Sequence, residues 1–66
     1  MEFKNRLKEL RMANNLSQMQ LAKVLGISQS AIAKWELGKT EPTASAIILV
    51  AKYFNESTDY ILGVID

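Results

Sequence analysis

QMQLAKVLGISQSAIAKWELGK, residues 18–39, is the stretch on which the reading of the whole chain turns. Its apolar residues fall into two short rows, Leu21, Ala22 and Leu25 and then Ile32 and Trp35, separated by Gly26, Ile27 and Ser28. Each row follows the helical period, which returns side chains three and four positions apart to one face. Ser17, with Gln20 three positions on, has the form of a capping box opening the first helix, and Ser28 is placed to cap the second, which ends at Gly38. Gly26 supplies the positive φ of a three-residue turn, since it carries no Cβ to penalise that conformation. Ala22 is small where the two helices cross, and Leu21, Leu25, Ile27, Ile32 and Trp35 seal their interface.

Upstream, Phe3, Leu7 and Leu10 recur at helical spacing and predict an amphipathic helix from about Glu2 to Ala13, broken by Asn14 and Asn15. Downstream, Glu41 and Pro42 force an extended connection, because the residue before proline disfavours the helical region. Thr43 restarts the chain. Ala44, Ile47, Val50, Ala51 and Phe54 then share one face of a fourth helix stopping near Asn55, and Ser57 caps a short fifth turn that Gly63 ends. No alternating β pattern, internal repeat or low-complexity segment interrupts this order. The expected fold is all-α: one compact five-helix domain over residues 1–66, with a helix-turn-helix at about 17–37.

Composition narrows the function. With 66 residues and no Cys or His, the chain excludes thiol nucleophiles, His-based triads, disulfides and the usual zinc sites. The acids Glu2, Glu9, Glu36, Glu41, Glu56, Asp59 and Asp66 show no paired spacing and no glycine loop cradles phosphate, so no catalysis, cofactor, metal or small-molecule substrate is expected. The first ten residues lack the apolar run of a signal peptide, and the apolar stretch Ala46–Ala51 is too short to span a bilayer, which predicts a cytoplasmic protein away from membranes. The net charge of +1 conceals an asymmetry. Arg11, Lys23, Lys34 and Lys39 against Glu36 give residues 11–40 a charge of +3, whereas Lys52 against Glu41, Glu56, Asp59 and Asp66 gives residues 41–66 a charge of −3. A basic central segment hints at a polyanionic partner.

Over residues 3–63 the chain resembles the lambda-repressor-like helix-turn-helix family of the Cro and C1 type. The residues that carry the resemblance are Arg11, LSQ at 16–18, LA at 21 and 22, LGIS at 25–28, WELGK at 35–39, Pro42 and DYILG at 59–63. It implies a sequence-specific transcriptional regulator that lays its third helix in the major groove of double-stranded DNA, usually as a homodimer on a palindrome. A repressor is expected over an activator, since a steric block needs only occupancy. The residues agree: around the third helix Ala31, Ile32 and Trp35 point one way and Gln29, Ser30, Ala33 and Lys34 the other. Those four are the expected base readers, as Gln suits adenine, Lys guanine, Ala a thymine methyl and Ser several edges. The same four would also fit an ordinary solvated face.

Phosphate contacts are expected from Gln18, Ser28, Lys39 and Thr40, which flank the reading helix. The resemblance implies such a role for Gln18, while Lys39 equally suits a solvated loop near a helix C-terminus. Glu36 opposes the macrodipole in the last turn of its helix and calls for compensation. The resemblance implies an ion pair with Arg11, whose guanidinium would also lie near a phosphate; two independent surface charges would contribute only about 0–1 kcal/mol.

One departure concerns the fourth helix. Ala46, Leu49 and Tyr53 form an apolar row on the side expected to be polar, and Leu49 stands where relatives of the family usually carry a polar residue. With Tyr60, Val64 and Ile65 they could form a patch for dimerisation or another protein, although scattered exposed apolar residues are common. That patch carries the alternative function, a protein-interaction module on the same fold such as an antitoxin or a phage regulatory partner.

Overall fold

The computed structural model describes residues 2–65; Met1 and Asp66, the ends of the expected domain and the latter one of its acids, lie outside the described residues. Five helices follow in the expected order: α1 (Phe3–Ala13), α2 (Gln18–Leu25), α3 (Gln29–Leu37), α4 (Ala44–Phe54) and α5 (Thr58–Leu62). No strand occurs among the described residues.

Local chemistry explains most of these limits. Ser17, Ser28, Thr43 and Ser57 each stand in extended backbone just before a helix and accept a hydrogen bond from the N–H three residues on, at 3.0–3.2 Å. Each hydroxyl thus satisfies one of the donors that a helix N-terminus leaves open. At Ser17 the box is complete, since its own N–H donates to Gln20 Oε1 at 2.8 Å. α1 lacks such a cap, with Glu2 at its start. The turn between α2 and α3 closes at Gly26, φ 70°, with Ile27 N–H donating to Ala22 O at 3.0 Å. α4 ends on Asn55 in the left-handed conformation, as its sequence predicts.

The inward rows meet in one core. Phe3 and Leu7 of α1, Leu21, Ala22 and Leu25 of α2, Ile32 and Trp35 of α3, Val50 and Ala51 of α4 and Ile61 of α5 are all buried. Phe3 packs its ring edge-on to Trp35, with centroids 5.8 Å apart. α3 lies against both α1 and α2, and α5 closes the far side against α1 and α4. At that closure Gly63 is required on space as well as on φ, because a Cβ there would collide with Glu2. Ala44, expected on the inward face of α4, is exposed instead, since its place in the first turn lies beyond the edge of the core.

Candidate nucleic-acid interface

α3 is fixed from beneath and open above. Ile32 is wholly buried and Trp35 nearly so, which sets the rotation of the helix about its axis. On the opposite side Gln29, Ser30 and Lys34 are exposed and Ala33 is half-buried, so the four expected base readers share a small, polar ridge. Ser28, Lys39 and Thr40, expected at phosphates, are exposed at the two ends of this ridge. Ser28 Oγ also accepts from Ala31 N–H at 3.1 Å as the cap, which leaves its O–H to donate elsewhere.

Beside the ridge runs a chain of polar side chains. Arg11 Nε donates to Glu36 Oε2 at 2.7 Å and Arg11 Nη2 to Glu36 Oε1 at 3.0 Å, a bidentate pair. Gln18 Nε2 donates to the same Oε1 at 3.1 Å, and Gln18 Oε1 accepts from Gln29 Nε2 at 2.8 Å. Gln29, one of the expected base readers, is thereby connected through α2 to an ion pair between α1 and α3.

The ion pair is internal rather than a surface ornament, with side chains 12% and 5% exposed for Arg11 and Glu36. The hydrogen bond to Glu36 raises the Arg11 pKa above its ordinary value; burial works against this, and the carboxylate's charge adds to it. Arg11 Nη1 also donates to Leu16 O at 2.8 Å, bracing the turn into α2. Its three nitrogens are therefore all engaged inside the protein, which leaves the guanidinium little surface for the phosphate expected beside it. Gln18 is likewise half-buried and bonded at both ends of its amide, though the open N–H groups of the first turn of α2 lie alongside.

Sequence reasoning missed both glutamine bonds. Its one available signal was that a carboxylate has more acceptor sites than one arginine fills.

The second surface lies on α4 and the C-terminal turn. Leu49 and Tyr53 are exposed there, as are Val64 and Ile65, and Ile48, which the sequence did not single out, is 47% exposed. Two expected members stand elsewhere. Ala46 is half-buried against the core, and Tyr60 packs on the core with the Arg6 guanidinium 4.4 Å from its ring centre. Packing against the common core sets both positions, which the row spacing on a single helix does not encode. No helix among the described residues is long and apolar enough to cross a membrane.

A family profile described as helix-turn-helix matches residues 7–61. The chain is 42% identical over 63 residues to the HTH-type transcriptional activator BcrR of Enterococcus faecalis, covering 96% of this chain and 31% of that protein. It is 43% identical over 52 residues to an uncharacterized HTH-type transcriptional regulator of Methanocaldococcus jannaschii, 79% of each chain. Repressor protein C2 of Salmonella phage P22 is 33% identical over 57 residues, 86% of this chain and 26% of the repressor. The chain thus spans about a third of the activator and about a quarter of the phage repressor. No solved structure matches the chain.

Proposed function

The chain belongs to the helix-turn-helix family of the Cro and C1 type, and from that premise we propose that it is a sequence-specific DNA-binding transcriptional regulator, acting in the cytoplasm without catalysis. Two copies read the halves of a palindrome about one helical turn apart, each placing α3 in a major groove. Gln29, Ser30, Ala33 and Lys34 read base edges. Gln18, Ser28, Lys39 and Thr40 hold phosphates at either end, with Arg11 acting chiefly through Glu36. Repression follows from occupancy alone.

The observation that carries this reading is the ridge on α3: a helix anchored beneath by Ile32 and Trp35 whose outer side offers the polar groups of Gln29, Ser30 and Lys34 beside the small Ala33, with Leu37 exposed in the last turn. Selection of bound sites from a random oligonucleotide pool is the test. A palindromic consensus is expected, and recovery of random sequence would overturn the reading. Binding to the selected site should weaken with salt at a slope of roughly −5 in log K against log salt, for about three phosphates per subunit.

A second reading, a module that binds another protein, draws on the exposed apolar residues of α4. The antitoxin PezA of Streptococcus pneumoniae is 30% identical over 57 residues, 86% of this chain and 36% of the antitoxin. Under that reading the purified chain alone would retard no member of the pool with a recoverable consensus.

A further inference from the structure

Leu37 is the one large apolar side chain that α3 leaves open, 66% exposed and outside the core cluster. Its place around the helix gives that exposure a direction. At about 100° per residue, Leu37 falls between Ser30 and Ala33 and nearly opposite the midpoint of Ile32 and Trp35, the pair that anchors α3. It therefore lies on the centre line of the ridge formed by Gln29, Ser30, Ala33 and Lys34. Gly38 ends the helix directly after it, so no further turn of α3 covers the side chain.

A ridge laid against DNA meets two kinds of group. Phosphate oxygens call for a donor, which a leucine lacks, and covering them with an apolar side chain forfeits their hydration. Base edges in the major groove offer one apolar group, the C5 methyl of thymine. Cytosine methylated at C5 carries the same group in the same place. Ala33, four residues before Leu37 on the same face, supplies a second apolar wall. Cβ atoms at that spacing stand about 5–6 Å apart, which lets one methyl group touch both side chains within about 4 Å.

We propose that Leu37, with Ala33, forms a site that seats a pyrimidine 5-methyl group, and so gives the chain a base preference of its own there and a response to cytosine methylation as well as to thymine. The proposal rests on the reading of α3 as the base-reading helix. Leu37 follows Ser30 by seven residues. That is about 10 Å of helix, which along the groove places its base about three steps of 3.4 Å from the one Ser30 reads.

The test is binding of the full chain to its selected site with each pyrimidine changed in turn only at its 5-methyl group, thymine to uracil and cytosine to 5-methylcytosine. Where a thymine responds, cytosine and 5-methylcytosine are compared at the same position. At one position of each half-site the parent chain is expected to bind the methylated base about fourfold more tightly than its unmethylated counterpart, the value of one buried methyl group. Leu37→Ala should bring that ratio close to one at an unchanged melting temperature, since so little of the side chain is buried. Leu37→Met, which keeps an apolar reach, should retain most of it. Lys39→Ala should weaken every site alike and leave the ratio as it was.

A site at which no 5-methyl group matters overturns the proposal, while a palindromic consensus keeps the α3 reading. A methyl response that persists in Leu37→Ala belongs to another side chain, and a uniform loss of affinity with the ratio intact marks contact with the sugar–phosphate backbone; either overturns it. Discrimination of thymine from uracil without discrimination of 5-methylcytosine from cytosine overturns the response to methylation. Recovery of random sequence from the pool removes the α3 reading and this site with it.

Discussion

α3 and α4 begin and end alike, and their outer faces differ. Ser28 and Thr43 each cap the N–H three residues on, at 3.1 and 3.2 Å, and both helices stop at a left-handed residue, Gly38 or Asn55. Inward, both present residues without exposed surface, Ile32 in one and Val50 in the other. Outward, α3 carries Gln29, Ser30 and Lys34, with one large apolar residue, Leu37, in its last turn, and α4 carries three, Ile48, Leu49 and Tyr53. Ends and inner faces answer to the fold, so they converge on the same few solutions. Outer faces are under no such demand, and it is there that the two helices part company, one suited to a charged and hydrogen-bonding partner, the other to an apolar one.

The contrast breaks most readily at the support of α3. Arg11→Ala leaves the Glu36 carboxylate, 5% exposed, without its cation. The expected cost is about 3 kcal/mol, a fall in melting temperature of roughly 15 °C for a domain of this size. DNA affinity should fall with it. Thermal unfolding by circular dichroism checks this, and unchanged stability together with unchanged affinity would remove the pair from the account.

Within the α3 face itself, Lys34→Ala should alter base preference at one position by about 1–3 kcal/mol, while Lys39→Ala weakens every sequence alike and lowers the salt slope by about 1. Titrations at several salt concentrations on the selected site separate the two, and an identical response from both lysines would erase the distinction between reading and anchoring. The turn that sets α3 against α2 is less sensitive. Nothing lies within 4 Å of a Cβ built on Gly26, so Gly26→Ala meets only the penalty of its positive φ, about 1 kcal/mol, readable in a urea melt.

On the α4 side, Leu49→Glu changes a residue that is 38% exposed, and stability should stay within about 0.5 kcal/mol. Sedimentation should nonetheless show a shift from dimer to monomer. An unaltered mass distribution would detach this surface from dimerisation. The smallest effect concerns pH. A raised Arg11 pKa means that its contribution is complete below the pKa of the unfolded chain and is lost only as pH rises through the still higher folded value. With no histidine in the chain, the melting temperature should be nearly flat from about pH 6 to about pH 9.

Much of this molecule is legible in one dimension. Ser17 with Gln20, Ser28, Thr43 and Ser57 mark helix starts because a cap acts over three residues. Gly26 and Asn55 mark ends because left-handed backbone is a property of single residues. The outward side of α3 was readable too, from helical periodicity. The apolar patch was read less well. Ala46 of the α4 row and Tyr60 of α5 were assigned to it and yet pack inward, while Ile48 was passed over and stands open.

What the sequence alone determined, then, is where each helix starts, stops and turns its apolar side, since those signals act within a few residues of one another. Tertiary structure alone decided which polar groups meet. Arg11 and Glu36 are 25 residues apart, Gln18 and Glu36 18, and Gln18 and Gln29 11. The Arg11–Glu36 pair was expected only through a family resemblance, and the two glutamine bonds were not expected at all. Such bonds depend on how α1, α2 and α3 cross, and a crossing is settled by the packing of the whole core.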